Sequence, residues 1–124
     1  MQESVIKLCG REVKAGYCYA TEIAFYNFTG VSIDKFDAEN PQHVVYLIMA
    51  AIFAYYNAKE HEGESHDLTD EDVLYASEPS EIVEAFKTVV NLRQRWYGVD
   101  AADAADAAAQ QRPTEREGED NGKN

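Results

Sequence analysis

The segment His61-Glu62-Gly63-Glu64-Ser65-His66 puts two imidazoles and two carboxylates within six residues, a donor set of the kind that holds zinc. A zinc-protease helix, however, spaces its histidines four apart so that both face one metal. Here they are five apart, with Gly63 and Ser65 between them, so they share no helical face and the segment reads as a solvated loop. Asp67 and Glu78 stand at the first and twelfth positions of a calcium-binding loop, and Thr69 and Glu71 offer further oxygens. Asp72 occupies the place where such a loop turns on glycine, and Val73-Leu74-Tyr75 is helical in character. The chain has no glycine-rich phosphate loop, no nucleophile elbow and no Cys/His pair at nucleophilic spacing. Carboxylate pairs occur only because acids are abundant, and His43, in the first turn of a helix, is expected to lie at the surface or to cap. The residues therefore predict no enzyme, no metal and no cofactor.

What remains is aromatic: eight Tyr, five Phe and one Trp, concentrated in residues 17–28, 46–56 and 96–97. Core packing explains any one of them. The tyrosines differ as a group, because each hydroxyl needs water or a partner. Tyr46, Tyr55, Tyr56, Trp96 and Tyr97 are accordingly expected on a partly wet, partner-facing surface, since Tyr and Trp are favoured interface anchors.

The elements that must position these residues follow from periodicity. Residues 4–17 alternate as a hairpin does, with Ile6 and Leu8 before, and Val13, Ala15 and Tyr17 after, a break at Cys9-Gly10-Arg11. Gly10 supplies the positive φ of a tight turn. Thr21 is expected to cap a short helix through Phe28, with Gly30 as its stop. Ile23, Ala24 and Phe28 give that helix an apolar side, which Phe25 and Tyr26 widen. Val31-Ser32-Ile33-Asp34-Lys35-Phe36 reads as one capped turn plugged by Phe36. Asn40-Pro41 starts a helix over about 41–60, with an Asn cap and Pro at the first helical position.

Thirteen consecutive apolar residues, 44–56, make that helix apolar all round. A membrane span needs about 20, so a core helix is expected. A helix of this kind is enclosed by protein on every side, either its own chain or a partner. Thr69-Asp70-Glu71-Asp72 resembles a capping box for a short helix to Ala76. After a break at Ser77-Glu78-Pro79-Ser80, residues 81–97 carry Ile82, Phe86, Val89, Val90 and Trp96 at helical spacing. The fold class is mainly α with a β component: an N-terminal hairpin packed on a small bundle of about four to five helices.

The 124 residues carry 23 acids and 11 bases, for a net charge of −12. That balance excludes a nucleic-acid binder, which needs cations to displace phosphate counterions, and docking on an anionic membrane surface. Seven acids and three bases lie in residues 99–124, which therefore contribute −4. Beyond Val99 that tail has no large aliphatic or aromatic side chain to offset its ordering entropy. Its AADAADAAA run is expected to extend the last helix by a turn or two, with disorder after Arg112-Pro113. One domain, residues 1–98, and an acidic tail, 99–124, result. Cys9 and Cys18 lie at opposite ends of one strand, roughly 30 Å apart, and cannot bridge. The N-terminus lacks a basic segment leading into an apolar one, so a reduced, cytoplasmic protein is expected.

The order of elements, with the Cys-Gly-Arg turn in VIKLCGREVKAGY, Asn27-Phe28-Thr29-Gly30, the VSIDKF turn, the long apolar helix and the acid-capped turn at 67–72, resembles the tail assembly chaperones of long-tailed (siphovirus-like) bacteriophages and prophages. The resemblance covers about residues 4–98. It implies a protein of the host bacterial cytoplasm that coats and solubilises the tape measure protein, helps recruit tail tube subunits and leaves the finished virion. It also implies a longer, frameshifted form ending beyond the short tail. A soluble carrier for a long apolar helical client needs exposed apolar grooves, and such surfaces self-associate, so a homo-oligomer is expected. The rival reading is an acidic inhibitor or immunity protein that mimics DNA before a basic partner. Its carboxylates would form a phosphate-like row, whereas the acids here are scattered among Glu39, 60–64, 67–72 and 78–84.

Overall fold

A computed structural model describes residues 1–98. The expectations for residues 99–124 lie outside the described residues. Two antiparallel strands, β1 (Gln2–Leu8) and β2 (Arg11–Tyr17), are followed by four helices: α1 (Tyr19–Thr29), α2 (Pro41–Asn57), α3 (Asp70–Ala76) and α4 (Pro79–Trp96). Single 3-10 turns at Ile33–Lys35 and Lys59–His61 punctuate the connections. This is the hairpin-plus-helices architecture expected from the sequence.

The hairpin pairs Ile6 with Val13, Ser4 with Ala15 and Leu8 with Arg11, which puts the apolar residues of both strands on one face. Its two-residue turn has positive φ at Cys9 (56°) and at Gly10 (73°), the conformation that matches the twist of the strands. Glycine accepts that geometry freely. Cys9 is held in it from outside: its N–H donates to Glu81 Oε1 at 2.9 Å, and its thiol donates to the Asp72 carbonyl at 3.1 Å.

The inner face of the hairpin lies on α2 and α4, with Leu8, Tyr17, Phe25, Ile48, Val89 and Leu92 among the fully buried side chains. Asn40 caps α2, its side chain accepting from Gln42 N–H at 2.9 Å ahead of Pro41. Packing against β2, α1, α4 and α3 covers most of the helix. Phe53 is the one large apolar side chain of α2 left exposed among the described residues.

Four expectations are corrected. Cys18, and not Thr21, is the N-cap of α1; Thr21 is buried and bonds backwards, accepting from Cys18 N–H and donating to the Gly16 carbonyl at 2.8 Å. The α2 helix stops at Asn57, where Ala58 is extended and the chain tightens into the 3-10 turn. The α4 helix begins at Pro79, because Pro fits the first helical position and Glu81 reaches back to the Glu78 N–H at 3.0 Å. His43 is buried; its Nδ1 accepts from Asp37 N–H at 2.9 Å and its ring packs edge-on against Phe25.

No helix among the described residues is long and apolar enough to cross a membrane.

Candidate functional site

The α1 helix, Tyr-Ala-Thr-Glu-Ile-Ala-Phe-Tyr-Asn-Phe-Thr, carries apolar or aromatic side chains at nearly every angle. Its buried side consists of Thr21, Ala24 and Phe25. Three large side chains therefore point the other way: Tyr19 is 62% exposed, Ile23 61% and Tyr26 55%. At i, i+4 and i+7 they form one stripe along the outer surface of the helix. Exposed apolar residues are ordinary singly; a helical stripe of three is a docking surface in form.

Aromatics frame the stripe on its α4 flank. There Trp96 meets Tyr19 edge-to-face at 5.5 Å, and Tyr97 lies beside it, exposed. Phe28, on the opposite side of α1, packs on α2, with Phe53 at 5.8 Å and Tyr46 at 6.1 Å. The α4 flank is fixed by Glu22, whose Oε2 accepts from both the Tyr17 and Tyr97 hydroxyls at 2.7 Å. Burial first, and then this carboxylate, raise both phenols well above the usual tyrosine range. Arg93 stacks over the Tyr97 ring at 5.1 Å, with its buried Nε 3.8 Å from Glu22. The C-terminal end of α4 is thereby tied to the start of α1.

The five residues singled out from sequence fall into separate groups. Trp96 and Tyr97 flank the stripe, whereas Tyr46 packs on Phe28, on the side of α1 that faces α2. Tyr55 is buried at 2% exposure and stacks on His61 at 3.8 Å, so it offers a partner nothing. Tyr56 packs edge-on against Tyr55 and uses its hydroxyl to accept the Lys14 N–H at 3.1 Å, closing that part of the free edge of β2. The residue the sequence reading missed is Tyr19, while Ile23 and Tyr26 were assigned to the apolar side of the helix together with Ala24 and Phe25 and instead face outward. Only the i, i+4, i+7 spacing signals them, and an apolar residue at every angle hides which side is inward.

A second cluster involves ionisable groups. His61 Nε2 lies 2.6 Å from Glu3 and its Nδ1 3.0 Å from Glu64, which also accepts from the Tyr55 hydroxyl at 2.8 Å. The Glu3 hydrogen bond, and secondarily Glu64, raise the His61 pKa against the opposing effect of desolvation. Glu64 is lowered, mainly by the Tyr55 hydroxyl, while burial pushes Tyr55 up to about 12. Glu3, Glu60 and His61 bring one ligand atom each within 4.8 Å of one another. A divalent ion there would have three ligands and would displace the Glu3–His61 hydrogen bond. His66 takes no part: its Nδ1 accepts from Leu68 N–H and its ring packs on Tyr56. The arrangement fastens the start of β1 to the end of α2.

Comparison with protein-family models, with curated proteins and with solved structures finds no match for this chain.

Proposed function

We propose that this protein is a non-enzymatic assembly chaperone that holds an apolar helical client on the outer face of α1. The observation that carries the reading is the Tyr19–Ile23–Tyr26 stripe, three large side chains each more than half exposed on one helix face. A helix docks on such a surface through its own i, i+3, i+4 and i+7 positions, and the tyrosine hydroxyls keep the surface wet when unoccupied. In the setting that the sequence resemblance implies, the client is a phage or prophage tape measure protein. Tail tube subunits are then recruited as second partners, several copies of the chaperone line the client, and the work is done in the host bacterial cytoplasm. A net charge of −12 keeps such an assembly dispersed.

The DNA-mimic alternative needs carboxylates free to meet a basic partner. Several are instead committed within the fold: Glu22 to two tyrosines, Asp72 to the Thr69 N–H, and Glu81 to three backbone N–H groups.

Co-expression with a fragment of a phage tape measure protein tests it. The wild-type protein is expected to keep the fragment soluble and co-purify with it, and the Tyr19→Ser/Ile23→Ser/Tyr26→Ser variant to leave it insoluble. A fragment that precipitates equally with and without the wild-type protein overturns the reading.

A further inference from the structure

The two edges of the hairpin are treated differently. On β2, the Lys14 N–H is taken by Tyr56 and the Gly16 carbonyl by Thr21. The Lys14 bond also fixes the parity of the ladder. Lys14 points away from β1, so its partner Val5, together with Glu3 and Lys7, turns N–H and C=O away from β2. Among the described residues nothing donates to or accepts from those backbone groups. Beside them runs a groove of about 440 Å³, with Val5 and Lys7 on the strand side and Glu78, Glu84, Ala85 and Thr88 on the α4 side. At the turn end the groove is closed by Glu81, which accepts the Cys9 and Gly10 N–H groups at 2.9 Å.

We infer that the open edge of β1 and the α4 wall beside it form a receptor for an extended, cationic segment of another protein, which adds as a third strand. An unpaired strand edge supplies sequence-independent backbone hydrogen bonds, and the groove beside it supplies side-chain selection. Three features define the occupant. The backbone groups of Glu3, Val5 and Lys7 demand an extended chain. Val5, 49% exposed on the strand side of the groove, offers an apolar cross-strand neighbour to the occupant. Glu78 and Glu84 are exposed at the rim, against one lysine, Lys7, and favour lysine or arginine.

A second copy of this chain does not fit the edge. Paired strands lie about 4.8 Å apart, whereas packed helices need about 8–10 Å. The partner strand would bring its own α4 into the space that this α4 fills, acidic flank against acidic flank. The occupant therefore carries no helix behind its strand. This surface is separate from the α1 stripe and does not rest on the chaperone reading.

The test uses the full chain and a heptapeptide of alternating lysine and valine. Two control peptides accompany it: one with alternate amides N-methylated at the same charge, and one with glutamate for lysine. Binding is read by anisotropy and by amide NMR shifts. The lysine–valine peptide is expected to bind and to move the Val5 and Lys7 amides, and both controls are expected to fail. Val5→Pro removes a donor that faces outward and takes no part in the ladder, so the strand is retained while affinity falls about fivefold. Glu84→Lys, on the exposed wall, is expected to weaken binding about threefold without touching the strand. Equal binding by the N-methylated peptide, an unchanged affinity in both variants, shifts centred away from β1, or dimerisation through β1 in place of peptide binding would each overturn the assignment.

Discussion

Glu81 and Cys9 lie 72 residues apart in the chain, yet the Glu81 Oε1 accepts the Cys9 N–H at 2.9 Å. The other oxygen takes the Gly10 N–H, so one carboxylate spans the turn of the hairpin and pins it to the first turn of α4. The same side chain caps α4 through the Glu78 N–H. One residue thus joins the N-terminal and C-terminal elements of the fold and holds the left-handed conformation at Cys9.

That contact predicts an acid-side transition. The Glu78 N–H, then the Gly10 N–H, hold the Glu81 carboxyl below the usual glutamate range. A depressed carboxylate contributes stability that is present above its unfolded pKa and is lost as pH falls through the folded one. Glu81→Gln is expected to lower Tm at pH 7 and to reduce the difference between pH 7 and pH 3. An unchanged pH profile in this variant would show that the turn is held without the charge.

The His61 cluster predicts the opposite slope. Its raised pKa, caused first by Glu3, makes it a contribution that is fully present below the unfolded value of about 6.5 and lost as pH rises through the folded one. His61→Gln should therefore destabilise more at pH 5.5 than at pH 8.5. Thermal melts at the two pH values check this, and an equal loss at both would contradict it.

At the alkaline end Tyr17 and Tyr97 resist ionisation, chiefly through burial and then through the Glu22 carboxylate they share. Both should stay protonated past pH 10 until the fold opens, and the stability they confer falls above that pH. Tyr17→Phe removes a hydrogen bond to a charged acceptor and should cost about 1.5–3 kcal/mol, measured by urea titration at pH 7.

The core offers a calibration. Leu92 is fully buried, and Leu92→Ala is expected to cost about 2–5 kcal/mol. A cost under 1 kcal/mol would mean that α4 does not seal the core at that position.

Much of this was legible in the residues because the signals were local. Gly10 marked the turn, Asn40-Pro41 marked the start of α2, and Thr69 with Asp72 formed the capping box, accepting and donating at 3.0 and 3.2 Å. The candidate surface was hidden because its cause is not local. An apolar residue at every angle of α1 leaves the inward face undecided until β2 and α2 take Thr21, Ala24 and Phe25. Tyr55 was placed outward because its hydroxyl needed a partner, and the fold supplies Glu64 from the loop that folds back over it. His43 was placed at the surface because nothing near it in sequence shows that Phe25 and Phe36 close around its ring.

The α1 stripe is the claim on which the functional reading depends, and Ile23→Asp tests it with one substitution. Ile23 is 61% exposed, so its replacement should move stability by no more than about 0.5 kcal/mol. The measurement is the affinity of the purified wild-type and variant proteins for a soluble tape measure fragment, by titration calorimetry at matched Tm. A loss of about tenfold or more in the variant is predicted from an apolar anchor made charged at the centre of the contact. Equal affinity at equal stability would contradict the assignment of the α1 face as the client surface.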